Sequence, residues 1–378
     1  MFISSQCLYG MQAENVSPAT ELPTEIKQYI AGLSLESTLG TNFEPFKHIE
    51  TGKGLAVVGL SFDSKLILTG SFDGKVRLWD IKTKELLQEF KGHKARISSV
   101  AFNSTNTLIL TGSQDGTARL WNTKTGELLK ICRGYMGPIH SVLFSPDNKT
   151  FATGSNGGSA VVWDTQLGTV VKVFREGPDG PLMAIDKVFT LAFSPDGHTL
   201  LTGLTTGVAL LWDLETGKKL YSLDVQDGIL SAAFSSDGKK VLMGSLYGTI
   251  SLWDATTGIL LKKSQEGKAV HSVAFNSDDT IIFVGFDNST AFFWEVATGN
   301  VLQKLTAESP MFWTSCSPYT TILSASPKGK IIIWNRPLSF TDWSEKMREP
   351  AQEIFVTKLY PALKEDDKPS AELEENIQ

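Results

Sequence analysis

Five histidines and three cysteines are the side chains of this 378-residue chain best suited to metal binding or nucleophilic attack. None stands in a pattern that uses them. Cys7, Cys132 and Cys316 are odd in number and far apart, with no Cys-x-x-Cys pair. That spacing argues against a disulfide framework and a zinc site, and fits a reducing compartment. His48, His93, His140, His198 and His271 are scattered, whereas a metal needs converging ligands. Serine, histidine and aspartate are plentiful, but no nucleophile elbow occurs. The glycine-rich run GSNGGS (154–159) reads as a tight strand-to-strand turn, not a phosphate loop entering a helix. No catalytic residue, metal or cofactor is expected.

Charge excludes further classes. The net charge is −6. Residues 341–378 hold ten acidic and five basic side chains, so the remaining body is close to neutral. Without a basic field, nucleic acid is not an expected partner. No apolar run approaches the ~18 residues that span a bilayer.

The elements that would position any site follow from an internal repeat. Trp79, Trp121, Trp163, Trp212, Trp253, Trp294 and Trp334 are spaced by 42, 42, 49, 41, 41 and 40 residues. Each closes a short apolar run, as in KVRLWD, TARLWN and TISLWD, and is followed by Asp, Asn or Glu. Between them, apolar runs of strand length alternate with turn signals such as SPDNK, and with a glycine five residues after Trp at Gly126, Gly168, Gly217, Gly258 and Gly299. Lys84 stands at that place in the first unit. Four short strands per unit is the all-β reading.

The phrases GHKARISSVAF, TGSQDGTARLWN, FSPDG and LWDLETGKKL resemble the WD-repeat family over residues 43–340. The resemblance implies an all-β, seven-bladed propeller, its four-stranded blades set around a channel. Pro337 follows IIIWN where a fourth strand of blade 7 would begin, so PFKHIE (45–50) is expected to supply that strand and latch the ring. In the family, a His, a Ser or Thr, an Asp and the Trp share buried hydrogen bonds. Blade 2 keeps all four, as His93, Thr111, Asp115 and Trp121. Blade 1 keeps Thr69, Asp73 and Trp79 but has Lys53 at the His position. In later blades the Asp position holds Gly157, Thr206, Tyr247, Asn288 and Lys328, so those blades are expected to rely on packing alone. His140 and His271 would lie about three blades apart across the channel, too distant to share a metal.

Partners of the family often dock on the face bearing the second-to-third-strand turns and the linkers between blades. Carried over, this gives two rings of positions. One, before the turn Asp, is Phe72, Gln114, Asn156, Thr205, Leu246, Asp287 and Pro327. The other, near the start of the inner strands, is Val58, Ser98, His140, Phe189, Leu230, His271 and Phe312. The large apolar members Phe72, Phe189, Leu230, Leu246 and Phe312, with Trp313 beside them, are the candidate partner-binding set. His140 and His271 are added to it, together with Leu182 and Met183 at the tip of an insertion spanning 175–188. For each side chain singly, packing against a neighbouring blade is the competing reading.

The ends carry two further expectations. MFISSQCLYGMQA (1–13) reads as a disordered start or as the end of a signal peptide that lacks its basic region. A cytoplasmic chain is therefore expected, with export as the alternative. ELPTEIKQYIAGL (21–33) places Ile26, Ile30 and Leu33 on one helical face. It resembles the first helix of an F-box, at about half the F-box length, and a plain capping helix is the other reading. Residues 341–378 read as an acidic, partly disordered tail with short helices. Taken together, the sequence implies a non-enzymatic scaffold, a monomeric propeller holding other proteins or peptides within a larger complex. The alternative is an F-box-like substrate receptor of a ubiquitin-ligase assembly.

Overall fold

A computed structural model describes residues 44–335, apart from Lys53, 134–136, 176–185, Ser277, Asn288, 308–311 and 317–320. The expectations for residues 1–42 and 336–378, and for Lys53, Leu182 and Met183, lie outside the described residues. Within them the chain forms 28 strands and no helix. After β1 (Glu44–Glu50) come β2 (Leu55–Leu60), β3 (Leu66–Ser71), β4 (Val76–Asp80) and β5 (Leu86–Phe90), which pair in that order as blade 1. Blades 2 to 6 repeat the pattern with β6–β9 (97–133), β10–β13 (139–174), β14–β17 (188–224), β18–β21 (229–265) and β22–β25 (270–306). Blade 7 has the order β1-β28-β27-β26, from β26 (Phe312–Cys316), β27 (Thr321–Ala325) and β28 (Lys330–Asn335).

The first strand therefore completes the last blade. β1 runs antiparallel to β28, from Glu44 opposite Asn335 to Glu50 opposite Lys330. The seam continues past the strand, where the Thr51 amide and hydroxyl both donate to the Gly329 carbonyl, at 2.8 and 2.9 Å.

The core lies between blades, not within them. Leu68, Val76, Leu78 and Phe90 of blade 1 form one cluster with Ile97, Phe102, Ile109 and Trp121 of blade 2. Each of the other six interfaces has its own cluster, including the closure, where Ile49, Ile331 and Ile333 meet Leu55, Val58 and Ile67. The Trp of one blade packs on the outermost aromatic of the blade before it, as in Phe90–Trp121 at 5.5 Å and Phe174–Trp212 at 5.6 Å between ring centroids. Close approach also explains the repeated Thr-Gly step. A Cβ on Gly112 would sit 2.7 Å from Val142 in the inner strand of the next blade.

The Asp, Asn or Glu after Trp in blades 1 to 6 has a different task. Asp80 Oδ1 accepts the Thr83 amide at 2.7 Å, Asn122 accepts those of Lys124 and Thr125, and Asp254 those of Thr256 and Thr257. The side chain thus caps the third-to-fourth-strand turn. Trp faces the core while its neighbour folds the turn. Lys84 occupies the left-handed position of the blade 1 turn (φ 65°), where blades 2 to 6 use glycine.

Side chains also tie neighbouring blades together outside the core. On the rim, Lys172 Nζ donates to the carbonyls of Leu214 and Glu215, Lys262 Nζ to those of Val296 and Ala297, and Tyr221 Oη to Thr256 O. On the face of the first-to-second-strand turns, Asn106 accepts the Phe62 amide, Asn148 the Ser104 amide and Asp279 the Ser236 amide. Those three acceptors all adopt left-handed backbone.

Closure by β1 yields a direct test. Removing residues 1–42 keeps every strand among the described residues, and a cooperatively melting monomer is expected. Removing 1–52 uncovers the edge of β28 and the apolar seam, and aggregation on expression is expected. A soluble, cooperatively melting product lacking 1–52 would show that the ring closes without the latch.

Candidate protein-docking face

Blade 2 assembles the four-residue network in full. Trp121 Nε1 donates to Thr111 Oγ1 at 3.0 Å, and Thr111 Oγ1 lies 2.8 Å from His93 Nε2. His93 Nδ1 lies 2.9 Å from Asp115 Oδ2. The acid must accept, so Nδ1 carries the proton and Nε2 accepts from the threonine. Asp115 also receives the Lys94 amide (2.9 Å), the Thr117 amide (2.9 Å) and the Thr117 hydroxyl (2.6 Å). Burial opposes its charge, but the hydrogen bonds from Thr117, Lys94 and His93 outweigh it and hold the carboxyl at about 2. His93 is displaced downward, because burial outweighs the attraction of Asp115. It is therefore a neutral structural histidine, not a base facing solvent.

Of the later blades, 3, 4 and 7 do not depend on packing alone, which corrects the expectation from sequence for those three. Trp79, Trp163 and Trp212 still donate to Thr69, Thr153 and Thr202 at 3.0 Å, and Trp334 to Ser324 at 2.8 Å. The pair survives loss of His and Asp because it needs only two facing strands. It fails where the threonine itself is replaced. Met243 and Val284 occupy that place in blades 5 and 6, and the buried Nε1 atoms of Trp253 and Trp294 have no protein partner.

The turn ring is held in register by one repeated bond. The amides of Phe72, Gln114, Asn156, Thr205, Leu246 and Asp287 donate to the carbonyls of Gly54, Arg96, Pro138, Lys187, Gly228 and Ala269. Each turn is thereby tied to the linker entering its own blade. The inner ring has a structural reason that sequence did not show. In blades 1 to 6 the pairing of first and second strands shifts after the opening residue, leaving a bulge. Ser98, His140, Phe189, Leu230 and His271 are the bulged residues, freed from the in-out alternation. Two positions need correction. In blade 1 the bulged residue is Ala56, and Val58 lies in the closure core. In blade 7, Phe312 pairs with Ala325, one residue beyond the equivalent place, and Trp313 with Ser324; their side chains lie outside the described set.

Of the candidate set, Phe72 (47% exposed), Phe189 (39%) and Leu246 (45%) present apolar surface to solvent, while Leu230, His140 and His271 are half-buried. His140 links two of the blades, because its ring stacks on Phe189 (5.2 Å between centroids) and its Nε2 lies 2.7 Å from Asn156 Oδ1. Its protonation is disfavoured by burial first, then by the charges of Lys187 and Arg96. Sequence reasoning overlooked two residues here. Tyr247, read only as a lost network position, is 70% exposed beside Leu246. Arg96 lies with its Cζ 4.5 Å from the ring centroid of Phe72. Among the described residues no group of three His, Cys, Asp or Glu side chains could hold a metal ion, and no helix is long and apolar enough to cross a membrane.

Seven four-stranded sheets, closed by an N-terminal strand and carrying a Trp on the third strand of every blade, define a seven-bladed β-propeller. The chain belongs to the WD40 family (WD domain, G-beta repeat), whose model matches residues 46–80, 84–122, 126–164, 178–213, 217–254 and 260–295, more than half of the chain. Strands β26–β28 of blade 7 fall outside these matches. The chain is similar in structure to the β-propeller domain of Cps50 (Swd1) from Myceliophteria thermophila, with a TM-score of 0.68 and 19% identity, covering 78% of this chain and 99% of that one. Locally it is similar to Autophagy-related protein 16 of Arabidopsis thaliana, 43% identical over 44 residues. It also resembles the U3 snoRNP-associated protein-like EMB2271 of the same plant, 35% identical over 63 residues. These stretches are 12% and 17% of this chain and span only 9% and 13% of those relatives. WD propellers are in general non-catalytic scaffolds that bind other proteins.

The network generates two predictions. Val284→Thr supplies the missing acceptor for Trp294, and its hydroxyl can donate across the strand as Thr69 does to the carbonyl of Arg77. A gain of about 1 kcal/mol in denaturant unfolding is expected, against a loss if the hydroxyl found no partner. The second concerns pH. The folded chain holds His93 below its ordinary value, so below about pH 6.5 the unfolded chain binds the extra proton and stability falls. Asp115 adds a second loss, from about pH 4 toward 2. Melting temperature should decline from pH 7.5 to 5, and His93→Gln, though less stable at pH 7.5, should decline less steeply. An unchanged slope in that variant would mean that other groups carry the effect.

Proposed function

We propose that this propeller is a non-enzymatic scaffold that binds partner proteins on the face of the second-to-third-strand turns and linkers. The observation that carries this reading is the presence of Phe72, Phe189, Leu246 and Tyr247, all substantially exposed, at turn and bulge positions of one face. Soluble proteins seldom leave aromatic surface in water at positions fixed by main-chain hydrogen bonds unless it meets a partner. On the opposite face Phe62 is also exposed, but three of the turns there already spend a side-chain acceptor on an adjacent blade. The face of Phe72 and Phe189 keeps its side chains available.

Phe189→Ala combined with Leu246→Ala should preserve a cooperative melt and remove most of the proteins captured from a native lysate. Truncating such anchors costs about 2 kcal/mol or more each. Phe62→Ala on the other face should leave capture unchanged. If the double variant folds and retains its full partner set, docking lies elsewhere on the molecule.

A further inference from the structure

We propose that the docking face selects an acidic protein segment, with the guanidinium of Arg96 receiving a partner carboxylate and Phe72 and Phe189 receiving the apolar residues beside it. This rests on the face being the docking site, and it adds the chemistry of the occupant.

Arg96 stands one residue before β6, and its own carbonyl accepts the Gln114 amide at 2.9 Å and the Ser113 hydroxyl at 3.0 Å, so its origin is fixed. Its guanidinium covers the Phe72 ring, and its buried Nε has no hydrogen-bond partner. No acid among the described residues forms an ion pair with it. Asp73 lies 3.8 Å from Arg77 and accepts the Lys75 amide, while Asp115 is saturated by His93, Lys94 and Thr117. Arg77 shows the ordinary arrangement, with its Nε 2.9 Å from Glu89. Arg96 differs in being partly desolvated without a counter-ion, and burial presses its pKa downward. A guanidinium so placed gains more from an arriving carboxylate than one in open water, because the desolvation has already occurred and a fork of parallel donors fits the acid.

The surroundings extend the preference. Lys187 and Arg96 together disfavour protonation of His140, so the region beside the His140–Phe189 stack is positive while the imidazole stays neutral. Asp73 and Asp186 border the same blades and would oppose a ligand with many phosphates. One free guanidinium over Phe72, one lysine and the exposed Phe189 fit a short acidic segment interrupted by an aromatic or long apolar residue. A nucleic-acid backbone would require a longer track of cations.

The full-length chain is titrated with fluorescein-labelled decapeptides of Gly and Ser carrying one Phe and two Glu, the spacing from Phe to Glu varied from one to four residues. Matched peptides carry Gln, or phosphoserine, in place of Glu. At least one Glu peptide should bind about tenfold tighter than its Gln counterpart, and the difference should shrink at high salt. Arg96→Gln should abolish the discrimination, and Arg96→Lys should restore only part of it. Phe189→Ala should weaken both peptides. The Glu and Gln comparison on the unaltered chain decides the matter even if Arg96→Gln fails to fold. Equal binding of Glu and Gln peptides, both lost in Phe189→Ala, overturns the carboxylate preference and leaves the docking face standing. Binding of phosphoserine peptides alone, or of none in the panel, overturns the proposal.

Discussion

Everything in this fold depends on apolar contact between one blade and the next. The buried side chains form seven clusters, and each straddles an interface. A blade alone would expose both of its faces, so a single four-stranded sheet has no core of its own. The ring must close for every blade to be dry on both sides, and that makes β1 on β28 a requirement for blades 1 and 7. Closure by a strand from the far end of the sequence is entropically costly, and the loop-closure term is met once, by a main-chain ladder plus the Ile49 and Ile331 contacts.

Against this background the polar network in blade 2 supplements packing that is already sufficient. Trp121 is buried against Leu68 and Phe90 whether or not His93 is present. Blades 5 and 6 make the same point from the other side, since Trp253 and Trp294 are buried although their indole N–H groups lack a partner. Such groups cost about 1–3 kcal/mol each, and the ring tolerates two because interfacial burial of the large indole exceeds that. The repeat therefore diverges most freely in its polar positions, while the Trp persists in every blade and the glycine of the Thr-Gly step persists in blades 1 to 6.

Much of this was legible in the sequence because each feature has a local cause. The Trp spacing follows from one interface per blade, the residue after Trp from a turn needing a cap, and the latch from Pro337 standing where a fourth strand would have to donate. The turn ring was placed correctly for the same reason, since a turn between two strands counts off in fixed steps. The inner ring was misplaced only at Val58 in blades 1 to 6, two residues beyond the bulged Ala56, where the run LAVVGL offers no polar residue to mark the place. Arg96 was missed for a different reason. Its significance lies in what it fails to touch, and an unpaired guanidinium over the ring of another blade leaves no mark on its own stretch of chain.

The two faces of the ring also differ in how their loops are used. At three junctions between first-to-second-strand turns, a left-handed Asn or Asp reaches the turn before it. Changing one such turn disturbs its neighbour, so that face is constrained by the structure of the ring itself. Second-to-third-strand turns make their repeated bond to the linker of their own blade through main-chain atoms only. A main-chain bond places no demand on side-chain identity, which is why Phe, Gln, Asn, Thr, Leu and Asp can all occupy the same site in six blades. The fold therefore leaves one face free to vary without loss of stability, and its exposed aromatics stand on that face at fixed positions.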